Sequence, residues 1–524
     1  MKNKTIVSLL LTATVAVSSL GGIGCGAKVK DDANTVQVSV FNGGWGLDWL
    51  YAAEREFEKI YPDVDIVIDP QDLLGQIANQ IKSGPSVNPV DLYFASEDVN
   101  SLLLMGSNTL AGYNMVFEPL DEVYDYVVND NKTVREKCSD SLLDAVTFET
   151  EENGETVSHE YIMHFGNGAA GIIYNADKFQ ELNITVPRTT DELYDVTCAQ
   201  ISEKFSNDAL TKAAFTESIR TAYSQYMFNV WWTQYEGADN VKNFFNGIYY
   251  KDGIKRYGNK IFEQKGRLYA LEAYEKMIGP DYKNAHTNIN SMTYMQAQQV
   301  LMNGTCLMMV NGNWLENEMK IRTDSGSSAN IKMMSTPIIS KIIEKTPSIP
   351  DDETLRAVVS YVDGEGSLPD NVTEKDVETI RAARDVKYNN YAGGTFIPAY
   401  SNAKENAKRF LKYLCSAEFA QIFFDKTGGN FIEFNEDITD MTAASGFMKS
   451  VYETQGKTTA PYQYRYKMAG LGGMLVFPGT VNIPSWFASK NAEDRKTPKQ
   501  IYDRALEMGT EEYFNTVLKT AGLI

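Results

Sequence analysis

The stretch VQVSVFNGGWGLDW, residues 36–49, contains the pattern that decides the fold. Its first half alternates apolar and polar residues, which is typical of a half-buried β-strand. The strand breaks at two glycines, and Trp45 follows them directly. A large apolar side chain at the end of a strand indicates a role for Trp45 outside the core.

The residues that follow predict a parallel sheet with helices between its strands. Helices are predicted from Leu50 to Ile60 and around Ile77, and they separate strands at 36–41, 64–68 and 90–95. This order is typical of right-handed crossovers. In such sheets ligands bind beyond the carboxyl ends of the strands. The predicted rim carries Asn42, Gly44 and Trp45 after strand one and Glu97 and Asp98 after strand three.

A similar unit recurs in the second third of the chain. Strands are predicted at 171–175 and 305–310, and helices at 190–205 and 292–302. Asn313 and Trp314 come directly after the second of these strands. The same rule therefore predicts a second rim, and two facing rims would enclose a cleft between two lobes.

Composition favours a globular chain with a neutral or cationic ligand. With 524 residues the chain is longer than one hydrophobic core usually serves. A net charge of -20 argues against nucleic acid and anionic lipid as partners. Cys138, Cys198, Cys306 and Cys415 are isolated, and their pairing stays open. With three histidines in the chain, we expect no metal site and no cofactor, although a structural calcium stays open.

The N-terminus has the layout of a secretory signal. Two lysines precede an apolar run at 6–20, which is too short to span a bilayer comfortably. Gly22-Ile23-Gly24-Cys25 resembles the bacterial lipobox, although Leu is usual where Gly22 stands. We therefore predict a signal peptide at 1–24, a lipid on Cys25, a linker at 25–35, and a location on the outer face of the cytoplasmic membrane.

Three longer blocks carry a family resemblance. These blocks are GIIYNADKFQELNITVPRTTDEL (171–193), QAQQVLMNGTCLMMVNGNW (296–314) and YAGGTFIPAYSNAKENAKRFLKYLCSAEFAQIFFDKTGG (391–429). In their order and spacing they resemble the extracellular solute-binding proteins, family 1. These are the carbohydrate receptors of ATP-binding cassette importers, and the group includes maltose-binding protein.

The resemblance implies a two-lobe α/β fold with a sugar site in the cleft and hinge closure on binding. Carried onto this chain, it predicts lobe 1 at 36–165 and 335–430, with an insertion at about 341–390, and lobe 2 at 166–334 and 431–524. Crossings between the lobes are expected near 162–170, near 333–339 and after Gly429. The implied partners are a carbohydrate and the permease subunits of an importer, and the receptor itself is expected to be a monomer.

Sugar recognition explains the residue types on the two rims. A pyranose presents a face of C–H groups that stacks on an indole, and its hydroxyl groups are held by carboxylates and amides. We expect Trp45, Trp314 and Trp486 to stack on rings, and Asn42, Glu97, Asp98 and Asn313 to hold hydroxyl groups. The backbone of Gly394 and Thr395 is expected to approach the ligand.

Each candidate has a structural alternative. Trp232 is a further ligand-binding candidate, but it stands beside Trp231 in a long apolar stretch, so at most one of the two should face the cleft. Trp314 and Trp486 could pack in the core, and the paired acids could be solvated. Trp49, beside Leu50 on the next helix, is expected in the core.

Other functions are weaker readings of the same residues. The G-x-G-x-x-G match at 166–171 continues as a strand and does not open a helix, as a dinucleotide site would require. The histidines at 159 and 164 are one residue too far apart for a zinc-protease motif. A secreted glycoside hydrolase or lyase remains an alternative because acids are plentiful. A receptor for peptides or metal ions is the other.

Overall fold

The computed structural model describes most of the chain after the N-terminal segment. The described residues are 32–71, 75–96, 99, 102–103, 115–128, 131–138, 142–143, 146–152, 154–164, 168–205, 213–322, 329–390, 394–432, 438–455, 476–478 and 482–520. The predicted signal peptide, the linker start, Cys25, Glu97 and Asp98 lie outside them.

The described chain alternates strands and helices. The strands are β1 (Thr35–Phe41), β2 (Asp65–Gln71), β3 (Leu92–Ala95), β4 (Thr147–Glu152), β5 (Glu155–Glu160), β6 (Gly168–Asn175), β7 (Ala213–Phe215), β8 (Ile248–Lys251), β9 (Ile254–Tyr257), β10 (Cys306–Gly312), β11 (Ile331–Met333), β12 (Tyr388–Asn390) and β13 (Gly394–Phe396). The α-helices are α1 (Asp48–Ile60), α2 (Ile77–Ser83), α3 (Asp121–Tyr124), α4 (Val134–Lys137), α5 (Ala176–Glu181), α6 (Ala199–Lys204), α7 (Gln225–Glu236), α8 (Ala238–Phe245), α9 (Gly266–Ile278), α10 (Tyr294–Met302), α11 (Leu315–Arg322), α12 (Asp352–Val362), α13 (Glu374–Arg384), α14 (Lys404–Leu414), α15 (Ala417–Lys426), α16 (Gly446–Gln455), α17 (Ile483–Ala488), α18 (Pro498–Met508) and α19 (Glu511–Thr520). A π-helical segment, Glu192–Cys198, precedes α6, and 3-10 turns occupy Asn259–Glu263, Ser340–Lys345 and Ala492–Asp494.

The first lobe is built on the sheet β13-β3-β1-β2. β1 pairs in parallel with both β2 and β3, as the sequence predicted. Val36, Val38 and Val40 of β1 are buried, and Leu50 and Phe57 of α1 are in the same core. The apolar residues of β1 therefore lie in the core, and the turn that follows the strand lies at the edge of the lobe.

The second lobe is built on the sheet β11-β6-β10-β7, and β12 pairs with β6. β10 and β7 are parallel. However, β6 runs antiparallel to β10, β11 and β12, so one strand is reversed in a sheet whose other four strands run in the same direction. The reason lies in the connection, because β6 starts at the boundary with the first lobe and runs away from it. The start of β6 consequently lies beside the carboxyl end of β10.

Two neighbouring chain segments cross between the lobes. On the first-lobe side, Met163 and Thr395 exchange backbone hydrogen bonds of 2.8 and 2.7 Å. On the second-lobe side, Gly168 pairs with Asn390 in an antiparallel ladder. One crossing therefore lies between 164 and 168, and the other between 390 and 394. The predicted crossing near 333–339 is wrong, because Met333 and Ile338 are buried in the second lobe.

The segment at 341–390 belongs to the second lobe, not to the first as predicted. Leu355 of α12 and Ile380 of α13 share a core with Trp231 of α7. The Trp231 Nε1 group also donates to the carbonyl oxygen of Pro337 at 3.1 Å. The apolar faces of α12 and α13 are thus covered before the chain crosses back at β13.

The C-terminal part returns to the second lobe. Ile432 is in the first-lobe core, whereas Phe447 of α16 packs beneath the second sheet. Helices α17 to α19 contribute Phe487, Ile501 and Phe514 to the core that contains Trp231. Within the described ranges, no helix is both long and apolar enough to cross a membrane.

Candidate functional site

A cavity of about 500 Å³ lies between the two lobes. This volume is in the range of sites for small organic ligands, about 300 to 1,000 Å³. Its first-lobe wall is formed by Val40, Phe41, Gly43, Gly44, Trp45, Gly46, Trp49, Phe94, Ala95, Ser96 and Phe423, and its second-lobe wall by Arg220, Thr221, Tyr223, Tyr226, Tyr294, Trp314 and Glu318. The crossing segments contribute Met163, His164, Gly168, Gly394 and Thr395.

Trp45 stands on the turn that follows β1. Its indole lies edge-on to Phe423, with ring centroids 5.9 Å apart, and it packs against the cores of both lobes. The Trp45 Nε1 atom is buried, and no described residue accepts a hydrogen bond from it. Because a buried N–H group without an acceptor costs free energy, this group can gain from a ligand acceptor in the cavity.

Trp314 lies on the opposite wall, after the carboxyl end of β10. A Cβ atom on Gly312 would overlap the Trp314 ring, so glycine is what lets the indole fold back over the strand end. Trp314 meets Tyr223 edge-on at 6.0 Å between centroids. Burial and the charge of Glu318 raise the pKa of Tyr223, which keeps its phenol protonated as a hydrogen-bond donor.

Residues 216–224, which we name the cleft loop, follow β7 and form part of the same wall. The buried side chain of Glu217 holds the two ends of this loop together. Its carboxylate oxygens accept hydrogen bonds from the backbone N–H groups of Ser218 and Ser224, both at 3.0 Å. Ala222 adopts a left-handed conformation with φ of 50°, which costs a non-glycine residue about 1 to 2 kcal/mol. Burial raises the pKa of Glu217 to about 7. The loop is thus held rigidly in a strained shape.

A polar contact joins the two walls. The Gly44 N–H group donates to Glu318 Oε1 at 3.4 Å, and the buried Gln298 donates to the other carboxylate oxygen at 2.6 Å. Glu318 belongs to α11 of the second lobe, so this contact joins the β1 turn to the opposite wall. Glu318 is therefore already engaged on both oxygens.

The structure brings together some of the predicted residues and separates others. Gly44, Trp45, Trp314, Gly394 and Thr395 line the cavity, whereas Asn42 and Asn313 lie next to lining residues without lining it. The prediction for Trp232 is wrong. Its side chain is 1% exposed in the second-lobe core and donates to Gln264 Oε1 at 2.9 Å. Trp486 packs against that same core and does not line the cavity.

Sequence reasoning missed Phe41, Arg220, Tyr223, Tyr226, Tyr294 and Glu318 as lining residues. The cleft loop follows a strand of three residues, too short to give an alternating pattern. Its one available signal was a polar run, TESIRT at 216–221, after a short apolar segment.

The described part of the chain holds no group of three or more histidine, cysteine or acidic residues that could bind a metal ion. The four cysteines after Cys25 are free thiols. The site is therefore characterised by its aromatic side chains, by one engaged carboxylate and by one guanidinium group.

A ligand-sized cavity between two lobes, each a sheet covered by helices and joined by paired crossing segments, defines a two-lobe binding protein. Residues 46–421 match the family described as bacterial extracellular solute-binding protein, and the chain belongs to this family.

Solved structures with the same fold are distant in sequence. The RafE solute-binding protein in complex with raffinose is 15% identical, with a TM-score of 0.56, and the match covers 91% of this chain and 100% of that one. The maltose/maltodextrin-binding domain MalE from Bdellovibrio bacteriovorus, bound to maltotriose, is 13% identical, with a TM-score of 0.56 and coverage of 91% and 98%. The GacH receptor of Streptomyces glaucescens is 15% identical, with a TM-score of 0.54 and coverage of 93% and 98%. No curated protein sequence matches the chain.

Proposed function

We propose that this protein is a carbohydrate receptor that binds an oligosaccharide between its lobes and delivers it to the permease of an ATP-binding cassette importer. The observation that carries the proposal is the pair of indole rings, Trp45 and Trp314, on opposite walls of one cavity. Indole rings stack on the C–H faces of pyranoses, and aromatic contacts contribute about 0.5 to 1.5 kcal/mol beyond the area that they bury.

The ligands of proteins with the same fold support the same ligand class. The RafE structure contains raffinose, the MalE domain contains maltotriose, and the GacH receptor was solved with acarbose. Tyr223 and Tyr226 add phenol groups to the second-lobe wall, and the phenol of Tyr223 is a donor suited to a sugar hydroxyl group.

Binding without turnover is part of the proposal. Glycoside hydrolysis uses a pair of carboxyl groups, about 5 to 9.5 Å apart across the scissile bond. Among the described residues that line the cavity, Glu318 is the single carboxylate, and both of its oxygens accept hydrogen bonds from protein groups.

Membrane attachment through Cys25 completes the proposed role. Lipid on this residue would hold the receptor at the outer face of the cytoplasmic membrane, next to a permease. Labelling of cells with a radioactive fatty acid should mark the wild type and leave a Cys25→Ala variant unlabelled.

Isothermal titration calorimetry with a panel of neutral and acidic tri- and tetrasaccharides tests the ligand class. We expect at least one member to bind, and Trp45→Ala and Trp314→Ala each to weaken its binding by about tenfold or more. Trp486→Ala, outside the cavity, is the matched tryptophan control.

A second pair of variants tests Trp314 through its neighbour. Gly312→Ala should displace the indole and weaken binding, whereas Gly446→Ala, where a Cβ atom would meet nothing within 4 Å, should not. Failure of every saccharide to bind would reject the proposal. Hydrolysis of a panel member would favour the enzyme instead.

A further inference from the structure

Arg220 is the charged side chain that the cleft loop presents to the cavity. Its neighbours Ser218 and Ile219 are buried, and Ala222 and Ser224 are buried further along, whereas Arg220 is exposed and lines the cavity. Hydrogen bonds anchor the loop on either side of Arg220. Glu217 accepts from two backbone N–H groups of the loop. Ser218 Oγ donates to the Met292 carbonyl oxygen at 2.9 Å, and the Ile219 N–H group donates to the Ile289 carbonyl oxygen at 3.2 Å. The guanidinium group is therefore mounted on a rigid support.

Within the described part of the chain, no residue forms a hydrogen bond or an ion pair with Arg220. The carboxylate on the same wall is Glu318, and its oxygens accept from Gly44 and Gln298. A guanidinium group offers five N–H donors in a planar fork that matches carboxylate and sulfate oxygens. An unpaired fork in a ligand cavity is suited to an anion.

We infer that the receptor takes an acidic saccharide, a uronic acid or a sulfated sugar, whose anionic group lies against Arg220 while its rings contact the indoles of Trp45 and Trp314. This inference rests on the proposed function and adds to it the charge of the ligand. It replaces the expectation, drawn from the net charge of the chain, of a neutral or cationic ligand.

The net charge of -20 does not oppose such a ligand inside the cavity. At physiological ionic strength, exposed charges are screened over about 8 Å, so acids elsewhere on the surface contribute little at the site. The guanidinium group of Arg220 lines the cavity, and a charge beside aromatic walls is screened less than one on the open surface.

Matched ligands separate the charge from the sugar. The probes are cellotriose, its C6-oxidised uronic acid form and its 6-O-sulfated form, each titrated calorimetrically into the full protein. The same three forms of maltotriose and chitotriose are tested in the same way. Xylotriose has no C6 group and is tested in its neutral form. For whichever backbone binds, we expect an acidic form to bind about ten- to hundredfold more tightly than the neutral parent. That ratio is the range for hydrogen bonds to a charged group.

Three variants assign the preference to Arg220. Arg220→Gln should weaken binding of the acidic form much more than binding of the neutral parent, so that most of the preference for the acidic form is lost. Arg220→Lys should restore part of it, because the charge remains and the fork is lost. Arg256→Gln, on the exposed strand β9, changes the net charge equally and should have no effect.

The outcomes distinguish this inference from the function on which it rests. A uronic acid preference or a sulfate preference that depends on Arg220 supports it and names the anion. Binding of the neutral form with equal or greater affinity, or an equal loss of both forms in Arg220→Gln, overturns it and leaves the carbohydrate receptor intact. Absence of binding by every form of every backbone rejects both.

Discussion

The position of a residue relative to the end of a strand decides whether it lines the cavity. Trp45 and Trp314 both follow a strand end, and the rule that ligands bind beyond carboxyl ends of strands predicted their place in the cavity wall. The prediction for Trp232 was wrong because α7 is apolar on nearly all sides. Its sequence therefore has no periodicity that shows which side chains face the core. Arg220 and Glu318 were missed because a lone charge in a loop or helix usually indicates a solvated surface.

Glu217 is the residue whose charge state should control stability. Burial raises its pKa from 4.5 to about 7, so between these values the folded protein holds a proton that the unfolded chain has lost. The contribution of protonated Glu217 to the stability of the folded protein is complete below about pH 4.5 and is lost as the pH rises through about 7. We expect the melting temperature of the wild type to fall over this interval more than that of Glu217→Gln, in scanning calorimetry at pH 5, 6, 7 and 8.

A matched acid shows whether that slope belongs to Glu217. Glu155→Gln, on the exposed strand β5, removes one negative charge without touching the cleft loop. Its melting profile should be parallel to that of the wild type. Equal slopes for the wild type and Glu217→Gln would contradict the assignment.

At the scale of elements, the parallel pairing predicted for β1, β2 and β3 is confirmed, and the second sheet contains one reversed strand, β6, that was not predicted. Strand alternation and helix spacing are local, so β1, α1, β2, α2 and β3 could be derived one after another. The direction of β6 is not local, since it depends on the side from which the chain enters the second lobe. The same limit explains the segment at 341–390, whose amphipathic helices require a partner surface without specifying which lobe supplies it.

Asp376 ties α13 to the segment that precedes α12. Its side chain is 2% exposed, and one carboxylate oxygen accepts from the backbone N–H and the hydroxyl group of Ser348, at 2.7 and 2.6 Å. Asp376→Ala should destabilise the second lobe by about 1 to 3 kcal/mol, because the partly buried N–H and hydroxyl groups of Ser348 lose their acceptor. Hydrogen exchange should show faster exchange in β6 and β10 and unchanged protection in β1.

Asp370, an exposed residue shortly before α13, provides the control. Asp370→Ala should leave stability and hydrogen exchange unchanged. Loss of protection in β1 upon Asp376→Ala would place the segment at 341–390 with the first lobe, as the sequence alone had suggested. Ligand affinity should be unaffected by either variant, since neither residue lines the cavity.

At the scale of the whole molecule, two cores meet at a small number of contacts. One core includes β1 and α1, and the other includes α7 and α9. They are joined by the crossing segments, by the contact of Gly44 with Glu318, by the hydrogen bond from Asn317 Nδ2 to the Thr427 carbonyl oxygen at 2.7 Å, and by the packing of Trp45 on both cores. Because few groups couple the lobes directly, a ligand that contacts both walls becomes a large part of the interface between them.

This arrangement predicts how the protein melts. Without ligand, the lobes should unfold in overlapping steps, and the van't Hoff enthalpy should be smaller than the calorimetric enthalpy. A saccharide at about a hundred times its dissociation constant stabilises only the form in which both walls are folded, by about 2.7 kcal/mol. Scanning calorimetry with the bound saccharide should therefore show a higher and more cooperative transition. The double variant Trp45→Ala/Trp314→Ala should show neither change, and equal enthalpies without ligand would contradict the separation of the two cores.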